Sequence, residues 1–156
     1  MPAPSPLYIA VVGASSASDA ELAAAETVGR ALGEAGATLI TGGRSGVMEA
    51  ASKGAASAGA TTIGLLSGTD RAEANPYVSV AIPTGLGELR NGLIIRAADA
   101  VVAVGGAYGT LSEVALALRA GVPVIGVDTW AIDGIERAAT ATAAAERALE
   151  HARANA

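Results

Sequence analysis

Apolar positions along the chain fall into two kinds of stretch that alternate from one end to the other. Short β-rich runs cover Tyr8 to Val12, Thr38 to Ile40, Thr62 to Leu66, Val78 to Ile82, Val101 to Val104 and Val124 to Val127. Most are apolar at nearly every position, the pattern of strands buried on both faces of a parallel sheet. Between them lie Ala/Leu-rich stretches of helical period, about Ala20 to Ala35, Val47 to Ala58, Leu86 to Ala98 and Thr110 to Ala120, with a last one from Asp133 towards Ala154. This alternation predicts a doubly wound α/β fold, a Rossmann-like parallel sheet in a three-layer α/β/α arrangement.

Local signals set several boundaries. Asp19 is placed to cap the first helix, with Leu22 and Val28 pointing inward and Gly36 ending it. Gly121 and Pro123 stop the helix before "VIGV". The tail "ERAATATAAAERALEHARANA" has few large apolar anchors. It reads as a surface helix, a dimer-contact helix or a partly frayed one.

Length and charge then narrow the class. At 156 residues the chain fits a single domain over 1–156. A net charge of −5 gives no basic field for a nucleic-acid backbone, so an anion would have to bind at a local site. Without cysteine there is no disulfide framework, thiol nucleophile or thiolate metal site. The single histidine, His151, lies in the Ala-rich tail, and no metal site is expected. The start "MPAPSPLYIAVVG" lacks a signal-peptide pattern, and no apolar run approaches the roughly 20 residues of a membrane span, so a soluble cytoplasmic protein is expected.

In a doubly wound sheet the loops after the strands meet at one edge, where ligands bind. Three loops converge there: "GASSAS" after the first strand, "TGGRSGVME" after the second and "GGAYGTLSE" after the fifth. The last two put glycines where strand gives way to helix, so backbone N–H groups can approach a ligand with no Cβ in the way and the helix dipole can favour an anion. Thr110 adds a hydroxyl and Arg44 a counter-charge. The dinucleotide fingerprint is missing, since the first turn has only Gly13 and the second strand ends at Thr41; neither loop carries the lysine of an NTPase phosphate loop.

On these residues the chain resembles a known superfamily. "GGAYGTLSE" is similar to the Pro-Gly-Gly-x-Gly-Thr-x-x-Glu motif of the Lonely Guy (LOG) phosphoribohydrolases, often misnamed lysine decarboxylases. "LRNGLIIRAADA" matches their upstream stretch in spacing, with Arg90, Arg96 and Asp99 in register. "TGGRSGVMEAASKGA", "EANPY" and "TGLGELRN" resemble more closely the bacterial relatives of the molybdenum cofactor carrier proteins, over about Ile9 to Val127. Val104 stands where the hydrolase motif has proline, and Asn91 where it has lysine.

The residues and the resemblance together set the expectations. The ligand is a phosphorylated small molecule, a nucleotide or a pterin phosphate, bound by Gly13, Ser15, Gly42, Gly43, Arg44, Gly46, Val47, Arg90, Asn91, Gly105, Gly106, Tyr108, Gly109, Thr110 and Glu113. A carrier needs no cofactor of its own, and the molybdenum cofactor would be its cargo. The alternative is a hydrolase that breaks the N-glycosidic bond of a nucleoside 5′-monophosphate. There Glu113 would face the positive charge that develops on the ribose and Arg90 would neutralise the phosphate or steady the departing base. A third class, a sensing module, shares every loop. Arg96 and Asp99 are expected to form an ion pair or cap, Lys53 a solvated charge and Trp130 a packing or subunit contact. A homodimer or homotetramer is expected, as in the resembling families.

Overall fold

The computed structural model describes residues 1–156. Seven parallel strands form one sheet: β1 (Tyr8–Gly13), β2 (Thr38–Thr41), β3 (Thr62–Leu66), β4 (Val80–Pro83), β5 (Ala100–Val104), β6 (Val124–Val127) and β7 (Glu136–Arg137). Five helices connect them: α1 (Asp19–Glu34), α2 (Val47–Ser57), α3 (Arg90–Ala97), α4 (Tyr108–Ala120) and α5 (Ala141–Ala154). The spatial order is β4-β3-β2-β1-β5-β6-β7. The chain therefore builds outward from β1 in one direction, returns, and builds outward from β5 in the other. β1 and β5 lie side by side, with Val11 opposite Val102 and Gly13 opposite Val104. That pair is the switch point, where a doubly wound sheet opens a crevice at its carboxyl edge.

Side-chain alternation along the central strands feeds two cores. Ile9, Val11, Val102, Val104 and Ile125 point to the layer of α1, α2 and α5. Ala10, Val12, Val101, Ala103 and Val124 point to α3 and α4, against Ile94, Ile95, Val114 and Ala117. Both faces being covered is what the continuous apolar runs require.

In the first layer α1 and α2 meet at backbone distance. A Cβ on Gly29 would lie 2.0 Å from the Ala51 carbonyl oxygen, and one on Gly54 would lie 2.0 Å from that of Glu26. Only glycine allows that approach.

Several boundaries differ from the sequence expectations. The cap of α1 is Ser18, whose hydroxyl accepts from the Glu21 amide; Asp19 is the first helical residue and complements the helix dipole. The fourth strand begins at Val80, because Ser79 is engaged side by side with Thr62 through their hydroxyls and amides. A 3-10 turn over Gly87–Leu89, with Gly87 at φ +58°, precedes α3, which therefore starts at Arg90. At the other end, residues 133–140 are not helical. They contain β7, and Thr140 caps α5 by accepting from the Ala143 amide. Nor is the tail a frayed surface helix: Ala144, Ala145, Ala148 and Ala152 are fully buried in the first core. Alanine methyls let a helix settle close to the sheet without large anchors. No helix is long and apolar enough to cross a membrane.

Candidate functional site

The carboxyl edge at the β1/β5 switch point opens into a cleft of about 500 Å³. Its lining comes from the β1–α1 loop (Gly13, Ala14, Ser15, Ser16), the β2–α2 turn (Arg44, Ser45, Met48), the start of α3 (Arg90, Asn91) and the start of α4 (Ala107, Gly109, Thr110, Glu113). Of the residues expected from sequence, Gly13, Ser15, Arg44, Arg90, Asn91, Gly109, Thr110 and Glu113 are brought together on this surface. Gly42, Gly43, Gly46, Val47, Gly105, Gly106 and Tyr108 stand behind or beside it. Sequence reasoning missed Ala14, Ser16, Ser45, Met48 and Ala107. Ser16 and Ser45 sit next to residues already singled out, and nothing in the pattern of Met48 separates it from a packing residue.

The β5–α4 turn offers unsatisfied donors. Gly105 stands at φ +55° and Gly106 at φ +142°, conformations that turn the strand sharply into α4. The amides of Gly106 through Thr110 meet no acceptor in the protein; the first of this helix to do so is that of Leu111, which donates to Ala107 O at 3.0 Å. Free amides are intrinsic to a helix N-terminus and carry its partial positive charge. A second group goes unmatched here: Thr110 is 2% exposed, and its hydroxyl has no partner. Buried hydroxyls are nearly always paired, and only one other in this protein, that of Ser52 on α2, is likewise unpaired.

Arg90 is held rigidly. Its Nε donates to Asn91 Oδ1 at 2.8 Å, and Nη1 donates to Gly42 O at 2.8 Å and to Leu65 O. Nη2 remains without a protein acceptor at the cleft. Burial lowers its pKa from the ordinary arginine value, with Glu113 raising it and Arg44 lowering it; the guanidinium stays charged at neutral pH.

Glu113 is 9% exposed, and its carboxyl has no hydrogen-bond or ion-pair partner in the protein. Burial pushes its pKa up to about 7, opposed by the charge of Arg90. The cleft thus combines a fixed cation, an open helix end and a carboxyl poised near neutrality.

The β2–α2 turn is tied down by its neighbours. Asn75 of the "EANPY" stretch donates through its side chain to Arg44 O at 2.8 Å and Gly43 O at 3.2 Å, and its backbone amide also donates to Gly43 O. Thr41 accepts from the Gly43 amide, and Arg44 pairs with Glu73 at 3.1 Å. The β1–α1 loop lies against the end of α2, where Ala14 O accepts from Val47 N at 3.1 Å and Ser15 O from the Ser45 hydroxyl at 3.2 Å.

Other expected roles resolve differently. Arg96 and Asp99 do not pair; Asp99 accepts from the Tyr8 amide at 2.8 Å and fixes the start of β1. Lys53 lies 3.8 Å from Glu26 on α1 and is half exposed. Glu21 was not singled out, yet a Cβ on Gly105 would meet its carboxyl carbon at 2.5 Å, so this α1 side chain covers the turn from behind. His151 pairs with Glu136 at 2.8 Å, far in sequence from the cleft residues.

A Rossmann-like domain with a polar cleft at its switch point is the class that fold and site define. Known proteins narrow it. The profile of the SLOG cluster4 family matches residues 6–155, and the chain belongs to that family. An uncharacterised protein of Archaeoglobus fulgidus is 39% identical over 115 residues, covering 74% of this chain and 76% of its own. The molybdenum cofactor binding protein of Rippkaea orientalis superposes with a TM-score of 0.87 at 33% identity, covering 98% of this chain and 99% of that one. The Moco carrier protein of Chlamydomonas reinhardtii also gives 0.87, at 34% identity, covering 97% and 100%.

Proposed function

We propose that the chain is a carrier that binds a phosphorylated small molecule in this cleft, with the phosphate on the open end of α4 and a molybdenum cofactor-type pterin as cargo. The observation that carries the reading is the unpartnered, buried Thr110 hydroxyl beside the free amides of the β5–α4 turn. A phosphate oxygen would satisfy the amides, and the hydroxyl once the Thr110 side chain turns towards the cleft, while the free Nη2 of Arg90 supplies a charge-assisted donor. Glu113 then faces the N–H or hydroxyl groups of the rest of the ligand. The named neighbours favour a pterin over other phosphorylated ligands.

Glu113 favours a second reading, cleavage of a nucleoside 5′-monophosphate. A buried carboxyl titrating near neutrality, beside a fixed guanidinium, suits stabilisation of positive charge on a ribose. Two measurements separate the readings. Mass spectrometry of what leaves the purified protein on denaturation is expected to show a phosphorylated pterin. Incubation with nucleoside 5′-monophosphates is expected to release no base. Base accumulating over many turnovers, and lost in Glu113→Gln, moves the conclusion to the hydrolase.

A cytoplasmic homodimer or homotetramer completes this reading. Leu89 is 77% exposed, and Leu93 and Leu116 are exposed near it on α3 and α4, the apolar surface that self-association would cover. A monomeric mass by light scattering at micromolar concentration contradicts it.

A further inference from the structure

The chain has four aromatic side chains, one tryptophan and three tyrosines. Two of them, from loops far apart in sequence, stack at the carboxyl edge beside the cleft: the Tyr108 and Trp130 ring centroids are 6.3 Å apart at an interplanar angle of 27°. Neither belongs to an apolar core. Tyr108 is the first residue of α4, between Ala107 and Gly109, both of which line the cleft, and it is 83% exposed.

Polar contacts hold the pair in place. The Trp130 indole Nε1 donates to Ala107 O at 3.3 Å, and the Thr129 hydroxyl donates to Gly105 O at 2.6 Å. Asp128, which leads into this loop, takes φ +49°, an uncommon conformation for a residue other than glycine. The β6–β7 connection is thus docked on the carbonyls of the same turn whose amides stay free. The edge of the indole is engaged, while the tyrosine ring remains open to solvent.

We infer that Tyr108, backed by Trp130, is an aromatic wall on which the planar ring of the ligand stacks while its phosphate lies on the end of α4. This rests on the phosphate reading above and adds where the rest of the ligand goes. A ring held in advance loses little freedom on binding, and stacking on it tolerates any flat heterocycle, purine or pterin. The wall therefore selects for a planar ring next to a phosphate, and the hydrogen-bonding groups of the cleft select which ring.

The test compares guanosine 5′-monophosphate and neopterin monophosphate, which carry rings, with ribose 5-phosphate, which carries none. Affinities come from calorimetry, and emission from Trp130, the only tryptophan, reports the wall. At least one ring-bearing probe is expected to bind about tenfold more tightly than ribose 5-phosphate and to change the emission, as stacking does. Tyr108→Ala is expected to cost the ring-bearing probe about tenfold more affinity than it costs ribose 5-phosphate, and Tyr108→Phe to keep the advantage. Equal binding of ringed and ringless probes, or a Tyr108→Ala variant that binds the ringed probe normally, overturns the wall and leaves the phosphate site standing. Failure of all three probes to bind the native protein overturns both.

Discussion

The turns at Gly42–Gly46 and Gly105–Gly109 share the spacing Gly-Gly-x-x-Gly and the same edge of the sheet. At the first, side chains from α3 and the β3–β4 connection take the carbonyls, and the β1–α1 loop closes on the helix that follows. At the second, the carbonyls of Gly105 and Ala107 are also taken, by Thr129 and Trp130. Amides at both helix starts lack acceptors, but at the first Ala14 O takes the Val47 amide, whereas at the second no amide from Gly106 to Thr110 is taken and a buried hydroxyl there has no partner. A glycine turn is thus a way to bring a backbone close to something. In one case that something is another loop of the same chain; in the other we assign it to a ligand.

The sharpest way to break this contrast is to add one methyl to each turn. Gly46 has φ +68°, and a Cβ there would lie 2.3 Å from Ala14 O and 2.5 Å from Ser15 O. Gly46→Ala is expected to destabilise the fold by about 3 kcal/mol or more, from backbone strain plus overlap, measured by urea unfolding. Near-native stability would mean that the first turn is not the clamp described.

The acid behind each turn gives the next largest difference. Glu49 of α2 lies outside the cleft and Glu113 of α4 inside it. Because the folded-state pKa of Glu113 is raised from 4.5 to about 7, the folded protein holds more protons than the unfolded chain between those values. Stability is therefore lost as pH rises through that window, by roughly 3 kcal/mol in total, and stays lower above it. Glu113→Gln is expected to abolish this part of the pH dependence in unfolding measurements from pH 4.5 to 8. A Gln variant with the native slope would remove Glu113 as its source.

Gly109 has no atom within 4 Å of the position a Cβ would take. Gly109→Ala is expected to keep the melting temperature of the native protein and to weaken phosphate-bearing ligands about tenfold, the scale of one hydrogen bond to a charged group. Unchanged affinity by calorimetry would place the phosphate elsewhere. The smallest effect belongs to Thr110→Val. Removing an unpaired buried hydroxyl is expected to raise unfolding stability by about 1 kcal/mol and to lower ligand affinity roughly fivefold. A stability loss would show that the hydroxyl is already satisfied.

The sheet was readable because its central strands are apolar at every position, which only double burial explains. The three converging loops followed from the parallel direction of the strands, which brings every carboxyl end to one edge. The burial of α5 was not readable, since four of its five buried positions are alanines and Leu149 alone is a larger anchor, a pattern hard to tell from a solvated Ala-rich tail. Nor was the difference between the two turns: it depends on Asn75, Ala14 and Trp130, which reach the turns only once the chain has folded. Likewise the Ser18 cap and the Asp99 bond to the Tyr8 amide depend on a choice among neighbouring polar groups that spacing leaves open.

The glycine contact between α1 and α2 bears on how the molecule moves. The helices that follow the β1–α1 and β2–α2 loops touch through bare backbone at Gly29 and Gly54, with no side chain between them to rotate out of the way. Hinge motion of one against the other has no slack, so the two loops they carry travel as one piece. Their amides should exchange with solvent deuterium in a single cooperative opening.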